Sequence, residues 1–160
     1  MSTDNQKFIN ESDSEKNQNN EENSISDSGL EIFNFLSKLD SFKDIEKDYL
    51  QDFSEKCCIK NFKIGWSLST EDIIPNNIYI ICNGFARLLY IEKNASDTLN
   101  RPQTLVKLGQ GSFVGLSSYL RGQSCEEVTA SSEIQVISIR DKDFLELFNK
   151  QLSFKLWCIN

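Results

Sequence analysis

Large apolar side chains are nearly missing from residues 1–28, where Phe8, Ile9 and Ile25 stand alone beyond Met1, and they then arrive at helical spacing. A segment so poor in apolar surface cannot offset the entropy of ordering, so residues 1–28 read as a disordered acidic tail and residues 29–160 as a domain. Ser28 and Glu31 have the spacing of a capping box, and Ile32, Phe35, Leu36 and Leu39 follow on one helical stripe. Asp40-Ser41 ends that run, and a second helix is expected over residues 43–56 on Ile45, Tyr49, Leu50 and Phe53. Beyond Cys57 the period shortens to two: Cys58, Phe62, Ile64, Trp66 and Leu68 alternate with polar or small residues, which predicts one strand with an apolar face. Two apolar runs then flank Asn83-Gly84, a dipeptide that tolerates positive φ and so favours a hairpin. Residues 93–103 are polar and read as a mobile tip, and TLVKL, VTAS and IQVISI supply further strands. From Asp141, a capping residue, Phe144, Phe148, Leu152 and Leu156 recur every four positions with Leu145 and Trp157 beside them, predicting one closing helix. Two helices, seven or eight short strands and a closing helix predict a mainly β domain, a small jelly roll or β-roll with helical flanks.

Composition narrows the chemistry. A chain of 160 residues suits a single core. It has no apolar run near the ~20 residues that span a bilayer. The start of the chain, acidic and amide-rich, is neither a secretory signal nor a transit peptide, so a cytoplasmic location is expected. Five cysteines in an odd number, two of them adjacent, and no histidine fit reduced structural thiols and no metal site. Without imidazole the common nucleophilic and zinc chemistries are out of reach, which points away from an enzyme. The net charge of −7 is uneven: residues 1–28 hold seven acids against two lysines, leaving −2 for everything else. No basic stripe marks a nucleic-acid surface.

The order of these elements resembles the cyclic-nucleotide-binding domain over about residues 30–150. FLSKLDSF is similar to the family's opening helix, NNIYIICNGFARLLY to its strand pair with a turn glycine, LVKLGQGSFVGLSSYL to the entry of its phosphate-binding cassette, and ISIRDKDFLEL to its last strand and following helix. The resemblance implies a double-stranded β-helix of jelly-roll type and a small-ligand site, with cAMP or cGMP as the family's ligands. Gly84 reads as a turn residue. Gly109, Gly111 and Gly115 let the backbone turn sharply and approach a ligand, although Gly115 serves a turn equally well. A short helix over residues 116–121 would aim free amides at the loop.

Matched position by position, the cassette is altered at each charge-bearing place. The family's ribose-binding glutamate falls on Leu116, beside Ser117. Its phosphate-binding arginine falls on Ser124, or on Gln123 or Cys125 if the loop length differs, and the following small residue and threonine become Glu126 and Glu127. Arg121 is the nearby cation, and as a residue of the short helix it is expected to face solvent. A carboxylate ~5 Å from a phosphate costs about 3 kcal/mol at an effective dielectric near 20. A missing arginine contact removes about 1.5–3 kcal/mol more. Together these lower affinity by roughly three to four powers of ten. If Glu126 and Glu127 only face water at a strand end, the repulsion vanishes and the missing arginine remains. The expectation is a cassette with weak or absent affinity for cAMP and cGMP, and no cofactor.

Four functional classes meet these residues. The first is a non-catalytic regulatory or interaction module serving neighbouring domains or a partner protein. SYLRGQSCEEVTAS is similar to the cassette in N-terminal domains of bacterial peptidase-containing ABC exporters, which would place such a module at the inner face of a membrane. The apolar, Trp-bearing residues 157–160 leave part of the closing stripe uncovered, as in a fragment or a hinge helix completed elsewhere. The second is a sensor for another small ligand, a different nucleotide or a cationic metabolite matched to Glu126 and Glu127. A transcription regulator of the catabolite-activator type would need a helix-turn-helix after the hinge. A cupin-like enzyme would need the histidines that this chain lacks. The oligomeric state is open.

Overall fold

The computed structural model describes residues 27–90 and 102–160. Most of the expected tail, and the expected mobile tip except for its last two residues, lie outside them. Asp27 and Ser28, read with the tail, form the first turn of α1 (Asp27–Leu36), so Ser28 lies inside the helix and not at its cap. The segment after α1 is a series of tight turns, with Phe42 N–H donating to Leu39 O and Ile45 N–H to Phe42 O at 3.0 and 3.1 Å. These turns bury Phe42 and Ile45, and α2 (Lys47–Lys56) starts only after them, later than the periodicity predicts.

Eight strands follow among the described residues: β1 (Cys58–Phe62), β2 (Ser67–Ser69), β3 (Asn77–Asn83), β4 (Ala86–Tyr90), β5 (Gln103–Leu108), β6 (Phe113–Val114), β7 (Glu127–Ala130) and β8 (Ile134–Arg140). They form two four-stranded sheets, ordered β1-β8-β3-β6 and β2-β7-β4-β5. Every pairing is antiparallel. The mainly β roll with helical flanks expected from the sequence is the observed architecture.

Two expectations about strands are corrected. The single strand over residues 58–68 is two, because Lys63–Trp66 turn through Gly65 at φ 84° and carry the chain from one sheet to the other. Ile64 and Trp66 are consequently exposed rather than on an apolar face. Asn83-Gly84 is likewise a crossing and not a hairpin: β3 pairs with β6 and β8, whereas β4 pairs with β5 and β7. A third crossing joins β7 to β8, and the corners lock together. Phe85 N–H donates to Ser132 Oγ at 2.9 Å, Ser131 N–H to Phe85 O at 2.9 Å, and Gly65 N–H to Ala130 O at 2.8 Å. A Cβ on Gly84, itself at φ 85°, would lie 2.2 Å from Glu133 O, so the crossing requires glycine there.

The strands shared by two layers explain the unbroken apolar runs. Ile78 and Ile80 of β3 and Ile137 and Ile139 of β8 face the helices, while Ile81, Ile134 and Val136 face the second sheet. The closing stripe is two helices, α4 (Asp141–Lys150) and α5 (Leu152–Ile159), separated at Gln151. Phe144, Leu147 and Phe154 are buried; Leu145 lies on the outer face of α4, and Leu152 and Leu156 face outward because the break rotates α5. Phe154 lies 5.1 Å from Phe42 and 5.8 Å from Phe144 between ring centres, joining both helical ends of the chain in one aromatic cluster. No helix among the described residues is long and apolar enough to cross a membrane.

Candidate functional site

The segment between β6 and β7 is built around α3 (Leu116–Arg121), which falls where the sequence predicts it. The helix starts after Gly115, whose φ of 85° few other residues adopt, and ends at Gly122, also left-handed at φ 63°. A Cβ on Gly115 would come within 2.9 Å of Pro75 Cγ and 3.4 Å of Asn77 O. What presses on this glycine is the chain itself, passing close at residues 75–77.

Leu116, half-buried, packs with Tyr119 against the helix-side core. The Tyr119 ring stands edge-on to Phe144 at 5.4 Å, and its hydroxyl donates to Asp141 O at 3.3 Å. Burial first, and the Asp141 carboxylate second, raise the Tyr119 phenol above its ordinary pKa. Ser117 and Arg121 are exposed, and Arg121 makes no ion pair with a described residue.

Ser118, fully buried, organises the rest. It is the third residue of α3, so its N–H is one of the helix-start donors without a partner inside the helix. That N–H donates to Glu126 Oε2 at 3.4 Å, and the Ser118 hydroxyl donates to the same oxygen at 3.2 Å. The hydroxyl oxygen in turn accepts Cys125 N–H at 3.1 Å, with Cys125 Sγ 3.6 Å away. A carboxylate at this place meets the partial positive charge of a helix start. Here the anion is a side chain of the protein.

The other side of the loop is tied to the segment after β2. Ser124 Oγ donates to Thr70 O at 2.6 Å, and Glu127 Oε2 accepts Glu71 N–H at 3.2 Å. Glu126 and Glu127 therefore do more than face water at a strand end: each is bound to a donor of a neighbouring segment. Sequence reasoning brought forward Ser124, Cys125, Glu126 and Glu127, which the structure gathers, and Gly115 and Leu116, which hold the helix in place. It missed Ser118, Thr70 and Glu71. Ser118 carries no signal beyond being the third residue after a glycine, and Thr70 and Glu71 act through backbone atoms. Beside the loop lies an open cavity of about 300 Å³ whose walls include Ser69, Thr70, Pro75, Asn77 and Tyr79. Ser69 Oγ is buried with no hydrogen-bond partner among the described residues.

Residues 59–151 match the family profile described as "Cyclic nucleotide-binding domain". A search of curated proteins finds no match. Among solved structures, the regulatory domain of Toxoplasma gondii PKA in co-crystals with cAMP superposes with a TM-score of 0.71 at 14% identity, covering 81% of this chain and 48% of that one. A triple mutant of the regulatory subunit of a cAMP-independent protein kinase A from Trypanosoma brucei, bound to cAMP in its A site, gives 0.61 at 13% identity over 82% and 52% of the two chains. Its substitutions include a glutamate to alanine and a threonine to arginine. The sensor domain of the transcriptional regulator DNR from Pseudomonas aeruginosa gives 0.69 at 10% identity over 82% and 85%. The chain spans about half the length of the kinase regulatory structures it matches.

Proposed function

Because the chain belongs to the cyclic nucleotide-binding domain family, we propose that it is a non-catalytic regulatory module whose cassette is closed by its own side chains and has lost affinity for cAMP and cGMP. The observation that carries this reading is Glu126 Oε2 on the N–H and hydroxyl of Ser118, the donors at the start of α3. An incoming phosphate would have to displace that carboxylate and then sit beside it. No lysine or arginine among the described residues joins the hydrogen bonds of this loop. The triple mutant from Trypanosoma brucei, in which a glutamate is removed and an arginine gained, supports the sign of the effect: cAMP was found bound in that protein.

The test is a gain of binding. Ser124→Arg with Glu126→Ala removes the internal anion and supplies the cation. Restoring a charge-assisted contact and lifting the repulsion is expected to strengthen cAMP binding by roughly two powers of ten or more in calorimetry. A folded double variant that binds no better than the native chain contradicts the reading.

The module reading extends to context through the resemblance of SYLRGQSCEEVTAS to exporter cassettes. It places the domain on the cytoplasmic side of a peptide or protein exporter, acting on the neighbouring domains of that chain. The coding sequence beyond Asn160 tests this: transmembrane helices and an ATPase domain support it, and a helix-turn-helix supports a transcription regulator instead. A second reading, a sensor for a different small ligand, is favoured by the open cavity beside the loop, with Ser69 in its wall. A metabolite screen by thermal shift, with Ser69→Ala as control, tests it.

A further inference from the structure

Far from the cassette, at the end of the first sheet nearest the locked corners, three carboxamides stand in one cross-strand row. Asn61 of β1 pairs in register with Gln135 of β8, and Gln135 pairs with Asn83 of β3. A bulge between Ile81 and Asn83 puts Asn83, and not Cys82, opposite Gln135. With neighbouring strands ~4.8 Å apart, the row is about 10 Å long. Among the described residues the side chains of Asn61 and Gln135 have no hydrogen-bond partner, and Asn83 uses only its Oδ1, on the Gly84 N–H at 2.9 Å. The row lines a groove of about 410 Å³ whose walls also include Lys63 and Glu133, one charge of each sign.

Gln135 also borders a second space. One row further along the same face, about 7 Å away, Ile59 and Ile137 form the floor of a slot of about 220 Å³ roofed by Ile32 and Phe35 of α1. The Cys82 thiol on its wall is kept neutral, its pKa pushed up to about 11 by burial, against the lowering effect of a backbone hydrogen bond at Ile137, with the Glu31 carboxylate adding to the rise. At about 30 Å³ per atom-sized volume the slot holds roughly seven non-hydrogen atoms. Carboxamides offer donor and acceptor together and so suit hydroxyl or amide groups, and a mainly apolar slot, with Glu31 in its wall, leading off a polar row is the lining of a small-molecule site.

We infer that this groove binds a small neutral amphiphile, with a polyhydroxyl head on Asn61, Gln135 and Asn83 and one short alkyl or aryl arm under α1. The site is separate from the cassette, and the inference stands whether or not the cassette binds a nucleotide. The probe is n-hexyl β-D-glucoside below its micelle concentration, titrated into the full chain by calorimetry and amide NMR. Saturable one-site binding is expected, with shifts at Gln135 and Ile59. Gln135→Ala and Asn61→Ala, each checked for an unchanged melting temperature, should weaken it about fivefold. Glucose, lacking the arm, should bind at least about tenfold more weakly, and hexanoate, lacking the head, should bind more weakly as well. No saturable binding, equal binding of hexanoate, or affinity unchanged in both variants would overturn the proposal.

Discussion

The helix-side core and the cassette are held by different physics. In the first, Phe42, Phe144 and Phe154 meet across the two helical ends of the chain, and burial of apolar surface does the holding. In the second, a six-residue helix is held between two left-handed glycines, and two serine hydroxyls, two carboxylates and backbone amides tie the loop on both sides. The core is specified by how much apolar area each position contributes, the cassette by which polar atom meets which. In this chain the partners of those polar atoms are the loop's own residues and the segment after β2.

Substitutions can break the two regions separately. The largest effect belongs to the core: Phe154→Ala should destabilise the fold by about 3–5 kcal/mol in urea unfolding, since the cavity cannot refill from either helix. A loss under about 1 kcal/mol would mean that α5 is not part of the core. Gly115→Ala comes next, at about 1–3 kcal/mol, because both the positive φ and the 2.9 Å approach to Pro75 resist a Cβ. Ser118→Ala should cost less, about 1–2 kcal/mol in global stability, yet release residues 124–127, seen as faster amide exchange confined to that loop. Uniformly faster exchange would show that loop and core unfold as one.

The thiols sharpen the same comparison with the smallest effect. Cys57 and Cys158, on the helix side, are pushed up to about 12 and Cys82 to about 11, in each case first by burial. Cys58 and Cys125 are exposed. Iodoacetamide at neutral pH should therefore modify Cys58 and Cys125 and spare the other three. A thiol whose folded pKa is raised contributes stability that is complete below its unfolded value, near 9, and is lost as pH rises through the folded value. The urea midpoint should accordingly fall between about pH 9 and 12, and a midpoint flat over that window would contradict these burials.

The roll and the position of α3 were legible because alternation and helical period survive in a single sequence. What misled was continuity. Ile64 and Trp66 continue the alternation of β1 through a turn, and Asn83-Gly84 carries a hairpin signal while its left-handed glycine serves a crossing between sheets. The four-residue period through Leu152 and Leu156 hides the break at Gln151, which only packing reveals. At the cassette, residue types were readable but partners were not: nothing in the letters says that Glu126 turns toward Ser118, because that contact depends on the path of the loop and not on spacing.

The central claim, that Glu126 stands where a phosphate would bind, is tested most directly by titrating cAMP into the unmodified protein in a calorimeter. The account predicts no saturable heat up to about 1 mM ligand. A one-site isotherm with a micromolar Kd, lost on competition with cGMP, would contradict it.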